Sequence, residues 1–179
     1  MQTRLKMLLS DFDAYGDAIP GHRLRDWIEA CPLQLDDVHD YCRFHPERYV
    51  RNLVQAATAY HALVLCWKNG QRSPIHNHRG SRCAVKVLSG EAVETKFDVA
   101  ANGMVYPTSS EWLCEGSTCY SEDADIHQVS NLQSGNADLV TLHVYSPPLL
   151  RMNMYSLHGS DVLEFFDPVN EEFVSGAGI

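Results

Sequence analysis

Ile75-His76-Asn77-His78 is the segment that decides how this chain is interpreted. It follows a turn, and alternate residues of a β-strand point to the same face, so the imidazoles of His76 and His78 should lie side by side. Such a pair alone is equally compatible with ordinary hydrogen-bonded histidines. A third imidazole from a distant strand would complete a site that suits Fe, Zn, Cu or Ni and leaves a divalent cation with open coordination positions.

The sequence around this segment favours short strands. Apolar and β-branched residues are concentrated at 64–67, 83–88, 92–97 and 139–145, and turn signals such as Asn69-Gly70 and Ser89-Gly90 separate them. Many short strands at regular spacing are typical of a β-sandwich or barrel. The sequence therefore predicts a mainly β protein.

Residues 1–46 have a different pattern. Apolar residues recur at helical spacing in three segments, with Pro20-Gly21 between the first two and Asp36 as the predicted N-cap of the third. We therefore expect a helical segment that packs on the strands, without a true domain boundary.

Composition excludes several classes of partner. The chain has 179 residues, which suits a single domain, and a formal net charge of -9. An acidic protein of this kind is a poor match for nucleic acid or an anionic membrane, both of which select clustered Lys and Arg. No apolar run reaches membrane-spanning length, and the apolar core of the N-terminal segment is too short for a signal peptide. We expect a cytoplasmic monomer in which most of the six cysteines are free thiols.

Glycines and an asparagine stand at fixed spacings around the histidines. The first set is Gly70, His76, His78 and Gly90, and the second is Gly116, His127 and Asn131. These spacings resemble the two motifs of the cupin superfamily. Where the first motif usually has a glutamate, this chain has Cys83. The substitution removes the usual fourth protein ligand and leaves a neutral set of three histidines.

Three further segments have distinctive sequences: Tyr49 with Arg51, Leu65-Cys66-Trp67, and Leu142-His143-Val144-Tyr145-Ser146-Pro147-Pro148. Together with the departure at Cys83, they resemble the cysteine dioxygenase family of thiol dioxygenases within the cupin superfamily. The resemblance covers residues 49–148. It implies one cupin-type domain over 1–179, namely a small β-barrel (jelly roll) at 47–160 after the helical lead-in at 1–46, with a C-terminal extension at 161–179.

The strand that ends in this last segment alternates polar and apolar residues. Thr141, His143 and Tyr145 share one face, and Leu142 and Val144 share the other. A polar face inside a small barrel needs hydrogen-bond partners, which a metal pocket would supply. The pattern alone leaves open the alternative that the three polar residues lie on an exposed outer face.

The resemblance also implies a role for each site residue. His76, His78 and His127 would hold Fe(II), and Cys83 would be joined to Tyr145 by a thioether crosslink. Arg51 would pair with the substrate carboxylate, for which a guanidinium fork is well suited, and Tyr49 would line the pocket.

Thr141 would support His143, which in turn would orient Tyr145. Trp67 is as compatible with the core as with the pocket, and Met152 falls at the pocket edge.

These features predict a non-haem Fe(II) thiol dioxygenase that converts L-cysteine and O2 to cysteine sulfinate. One alternative is the same chemistry on 3-mercaptopropionate, although Arg51 favours an amino-acid substrate. A second is a non-catalytic cupin that binds a metal and a small ligand. A third, a zinc or manganese cupin isomerase, fits less well because such enzymes usually retain the glutamate that Cys83 replaces.

Overall fold

The computed structural model describes residues 3–166. Three helices come first, followed by a short 3-10 turn at His39–Tyr41: α1 (Thr3–Ser10), α2 (Gly21–Ala30) and α3 (Leu35–Val38). The prediction that Asp36 caps the third helix is wrong. Gln34 is the N-cap residue, and its backbone N–H donates to the Asp37 carboxylate at 3.0 Å. Asp36 lies within the first turn instead.

Eleven strands follow in the described part of the chain. They are β1 (Val50–Ala56), β2 (His61–Trp67), β3 (Ile75–His76), β4 (Arg82–Ser89), β5 (Ala92–Val99), β6 (Val105–Leu113), β7 (Thr118–Ser121), β8 (Ile126–Ser130), β9 (Leu139–Ser146), β10 (Arg151–Tyr155) and β11 (Val162–Phe166). All four strand segments predicted from the sequence are among them.

The strands form two antiparallel sheets. The first has the order β1-β2-β9-β4-β7 and the second has the order β11-β10-β3-β8-β5-β6. One buried cluster contains residues of both sheets, including Leu65 of β2, Ala92 of β5 and Val129 of β8, so the sheets face each other across a common core. The predicted mainly β jelly roll with an N-terminal helical segment is confirmed, although the described sheets do not close into a barrel.

Strand β9 lies at the centre of the first sheet and is buried on both faces. Leu142 and Val144 pack in one apolar cluster with Leu24 and Ile28 of α2. Tyr145 points the other way, into the core between the sheets. The helical lead-in therefore covers the outer face, and the polar residues of β9 face inward. The alternative of an exposed polar face is excluded.

The sheet continues beyond residue 160. β11 pairs with β10 along its whole length, from Arg151 opposite Phe166 to Tyr155 opposite Val162. The sequence predicts an extension at 161–179 and a loose tail at 174–179 within it, and this tail lies outside the described residues. The division of the chain into domain segments stays a prediction.

Two further expectations concern the cysteines and membranes. None of the six cysteines, all of which lie within residues 3–166, forms a disulfide. Among residues 3–166, no helix combines the length and apolar character that crossing a bilayer requires.

Candidate metal centre

Three histidines converge between the sheets. His76 of β3 lies directly opposite His127 of β8 in the sheet register, and His78 follows β3 by two residues. Their candidate ligand atoms all lie within 4.8 Å of one another. Nε2 of His78 and Nε2 of His127 are 3.2 Å apart. The structure therefore brings together the three residues that the sequence singled out as metal ligands.

Hydrogen bonds on the far side of the rings orient two of the imidazoles. Nδ1 of His76 lies 2.9 Å from the carbonyl oxygen of Pro74, and Nδ1 of His127 lies 2.7 Å from Oε1 of Glu94. A carbonyl and a carboxylate only accept, so Nδ1 carries the proton in both rings and Nε2 keeps its lone pair for the site. Nδ1 of His78 is buried without a hydrogen-bond partner.

Burial keeps the imidazoles of His76 and His78 neutral. Burial lowers the pKa of His76 and of His78 well below the usual histidine range, and the neighbouring His127 adds to both shifts. Neutral imidazole is the form that binds a metal. A buried set of close imidazole nitrogens with free lone pairs fits a divalent cation such as Fe(II) or Zn(II).

Glu94 is a part of this site that the sequence analysis missed. Its side chain is 2% exposed, and its carboxylate accepts the hydrogen bond from His127. Burial raises the pKa of Glu94, but the hydrogen bond and electrostatic interaction with His127, with a contribution from Lys96, outweigh that effect, so the net pKa lies below its usual value. No motif marks this glutamate, because its approach to His127 depends on how β5 pairs with β8.

A pocket opens beside the histidines. It holds about 350 Å³ of space, counting the part open to solvent, and its wall includes His76 and His127. Arg51 and Tyr49 also line it, as does Met152, which was expected at the pocket edge. The pocket combines a cation, aromatic rings and candidate metal ligands in a space suited to a small polar molecule.

Arg51 reaches this pocket from β1. It lies opposite Leu65 of β2, which in turn lies opposite Thr141 of β9, so the three share the inner face of the sheet. Tyr49 precedes β1, and its ring stacks on Trp67 with centroids 4.2 Å apart. The sequence is compatible with a core or a pocket position for Trp67. In the structure Trp67 belongs to both, since it is 1% exposed and lines the cavity.

The inward face of β9 carries a chain of hydrogen bonds. Nε1 of Trp67 donates to Oγ1 of Thr141 at 3.1 Å, and Oγ1 lies 3.0 Å from Nε2 of His143. Nδ1 of His143 lies 3.2 Å from the hydroxyl of Tyr145. Burial, together with His127 and Arg51, lowers the pKa of His143 to about 3, so its ring is neutral. Thr141 and His143 thus hold the Tyr145 hydroxyl beside the candidate ligands.

Cys83 and Tyr145 are direct cross-strand neighbours on β4 and β9. Side chains paired in this way lie on the same face of the sheet within contact distance. Sγ of Cys83 also lies 3.8 Å from Nδ1 of His143. Burial raises the pKa of the Cys83 thiol, and burial followed by the neighbouring Cys83 raises that of Tyr145. Both groups are therefore neutral, so position 83, where cupins usually have a glutamate, carries no charge.

The chain is similar to proteins named cysteine dioxygenase type 1. The family model described as cysteine dioxygenase type I matches residues 14–158. The human protein named cysteine dioxygenase type 1 is 36% identical over 138 residues, which cover 74% of this chain and 68% of the human protein. The protein of the same name from Rattus norvegicus is 39% identical over the same coverage.

Solved structures are similar in fold. A double-stranded β-helix protein from Klebsiella pneumoniae superimposes with a TM-score of 0.54 at 21% identity, covering 66% of this chain and 88% of that one. A protein from Thermus thermophilus superimposes with a TM-score of 0.53 at 20% identity, covering 65% and 99%. At this level of identity the likeness concerns the fold alone.

Proposed function

This chain belongs to the cysteine dioxygenase type I family of oxidoreductases, and we propose that it oxidises L-cysteine with O2 to cysteine sulfinate at an Fe(II) held by His76, His78 and His127. The observation that supports this most directly is the pocket that combines the imidazoles of His76 and His127 with the Arg51 guanidinium. A metal-binding wall and a carboxylate-binding group in one small space match the two ends of cysteine.

The overall reaction adds both atoms of O2 to one sulfur. The thiol R–SH and O2 give the sulfinic acid R–SO2H, so sulfur is oxidised, O2 is reduced and no other reactant is needed. Bound Fe(II) would supply adjacent coordination positions for thiolate and O2 and the electrons that start O2 reduction. The protein's own residues bind, orient and shield the substrate.

Arg51 would hold the substrate carboxylate. A guanidinium donates two parallel hydrogen bonds to a carboxylate, which fixes the direction of the substrate as well as its charge. Tyr49 and Trp67 stack beside it, and Leu149 and Met152 complete an apolar wall that excludes water. This environment strengthens the ion pair to the substrate.

Tyr145 would donate a hydrogen bond to the substrate or to the reacting oxygen. Its hydroxyl is neutral and held by His143. We also propose that Cys83 and Tyr145 form a thioether crosslink, as the family resemblance implies. Their opposite positions on β4 and β9 support this proposal. A monomeric, cytoplasmic enzyme stays a prediction from the sequence.

The test is O2 consumption by protein loaded with Fe(II) under anaerobic conditions. L-cysteine and 3-mercaptopropionate are supplied in parallel, and the sulfinate is identified by mass. Cysteine should support uptake, and Arg51→Ala should lower kcat/KM for cysteine by about 10- to 150-fold, because a hydrogen bond to a charged group contributes about 1.5–3 kcal/mol. Activity on cysteamine, which lacks a carboxylate, should be low and unaffected by Arg51→Ala.

The matched control is Arg23→Ala, since Arg23 is an exposed arginine of α2 outside the pocket. A preference for 3-mercaptopropionate would change the substrate but keep the reaction. Iron-loaded protein that consumes no O2 with either thiol would contradict thiol dioxygenation and favour the non-catalytic metal-binding cupin.

A further inference from the structure

The three candidate ligands differ in what holds the far side of each ring. His76 donates to a neutral carbonyl and His78 Nδ1 has no partner, whereas His127 donates to the carboxylate of Glu94 at 2.7 Å. Glu94 and His127 are each 2% exposed, so water does not screen this contact. His127 is thus the one imidazole of the set that has an anionic partner.

We propose that Glu94 is a positioning residue of the metal centre. Through its hydrogen bond to His127 it fixes the proton on Nδ1, holds the ring with Nε2 toward the metal, and supplies a negative charge to the site. This inference rests on the proposed function in one respect: it takes a divalent metal to bind at the three histidines.

The position of the charge explains how the site manages without the usual glutamate ligand. Cys83 stands where cupins usually have a metal-bound carboxylate, so the three histidines alone would leave the cation uncompensated. Glu94 places one carboxylate behind His127, where it polarises the N–H bond and makes Nε2 a stronger donor. A charge behind a ligand occupies no coordination position. A metal-bound glutamate would leave fewer open coordination positions for substrate and O2, and Glu94 avoids this.

The sheet register holds Glu94 in place. On β5, Glu94 lies opposite Val129 of β8, and Lys96, two residues further, lies opposite His127. Glu94 and His127 are therefore diagonal neighbours across a hydrogen-bonded strand pair, within reach of a long side chain. Both belong to strands with regular pairing at these positions, so the contact does not depend on a loop.

Metal affinity tests this role without using the reaction. Co(II) binding to Glu94→Gln is measured by competition with a chromophoric chelator. The amide keeps the size of the side chain but removes the charge, and we expect affinity to fall by about 10- to 100-fold, the usual effect of losing such a partner. Glu94→Asp keeps the charge at a longer distance and should restore part of the affinity.

Glu111→Gln is the matched control. Glu111 lies opposite Glu94 on the edge strand β6 but is exposed, so this variant removes the same charge from the same part of the sheet. Equal Co(II) affinities for Glu94→Gln and Glu111→Gln would overturn the proposal. A selective loss in Glu94→Gln supports it, whether or not the wild-type protein oxidises thiols, so failure of the proposed function is distinguishable.

A second measurement uses the wild-type protein and does not depend on whether a variant folds. Nitrogen-15 NMR of histidine-labelled, Zn(II)-loaded protein should show the His127 ring with its proton on Nδ1 and the metal on Nε2. The Nδ1 proton should lie far downfield because the carboxylate shares it. A His127 ring with the metal on Nδ1, or with an unshifted Nδ1 proton, would overturn the proposal.

Discussion

At the scale of single residues, position 83 decides whether the metal centre has an anionic protein ligand. A glutamate there would be an anionic ligand, whereas the Cys83 thiol is buried and neutral. Its position opposite Tyr145 gives it a different use, because the sulfur is held beside a phenol ring that lies near the candidate ligands. The resemblance to cysteine dioxygenases and this register together support a crosslink.

The crosslink has a direct signature in the mass of the protein. Forming the thioether breaks the S–H bond of Cys83 and one ring C–H bond of Tyr145, and O2 accepts the two electrons and two protons. After aerobic incubation with Fe(II) and cysteine, we expect the intact protein to lose the mass of two hydrogen atoms. Cys83→Ser should not lose them.

Cys119→Ser is the control for this experiment, because Cys119 lies on β7 beside β4 and packs against the same core cluster. It should lose the two hydrogens as the wild type does. An unchanged mass in the wild-type protein, or an equal loss in Cys83→Ser, would contradict the crosslink.

At the scale of elements, β9 joins the pocket to the core. Alternation along the strand places Thr141 and His143 on the inner face, and the Thr141 hydroxyl joins the indole of Trp67 to the imidazole of His143. All three side chains are buried, so no water is available to replace a lost partner. The hydrogen bonds of Trp67 and His143 therefore depend on a hydroxyl at position 141.

Thr141→Val should lower both stability and activity. Valine keeps the shape of threonine but leaves the Trp67 N–H and a His143 nitrogen unpaired, and each unpaired buried group costs about 1–3 kcal/mol. For a protein of this size the Tm should fall by about 2–4 °C for each kcal/mol. The kcat should also fall, because Tyr145 loses the support behind His143.

Thr141→Ser keeps the hydroxyl and serves as the control. It should retain most of the kcat, and its Tm should lie closer to that of the wild type than to that of the valine variant. Calorimetry and O2 uptake measure the two effects. A valine variant as stable as the serine variant would show that the hydroxyl bonds contribute little.

Part of the fold and of the candidate site could be predicted from the sequence, and part could not. Strand alternation pairs His76 with His78 and places Thr141, His143 and Tyr145 on one face, because both depend on local geometry. His127 joins the pair only through the resemblance to the second cupin motif. Whether the polar face of this strand points into the core or toward solvent could not be predicted from the strand alone, because it depends on the helices that cover Leu142 and Val144.

Two other features depend on distant partners. Glu94 approaches His127 only because β5 pairs with β8 in one particular register. Asp36 satisfies the usual preference for an N-cap, yet the helix begins earlier, where Asp37 accepts from the backbone of Gln34 and pairs with Arg4 of α1 at 3.0 Å. The first contact is tertiary and no local pattern marks it. In the second, the capping interaction between Gln34 and Asp37, supported by Arg4, outweighs the preference for Asp36.

At the scale of the whole molecule, the first sheet separates two buried layers. The helical lead-in packs on the outer face, and the candidate metal centre lies on the inner face, so stability and metal binding should respond to different substitutions. Leu24 of α2 tests this separation, because it is fully buried in the outer layer with Leu142. Leu24→Ala should lower the free energy of unfolding by about 2–5 kcal/mol through lost burial and a residual cavity.

Metal affinity should not follow that loss. Sites without shared partners usually behave independently, and β9 lies between Leu24 and the three histidines. We therefore expect Co(II) affinity of folded Leu24→Ala, measured in the absence of denaturant, to match that of the wild type. Met7→Ala removes an exposed α1 side chain that is 67% accessible and should alter neither quantity. A Leu24→Ala protein that loses metal affinity as strongly as Glu94→Gln would show that the helical layer also sets the geometry of the site.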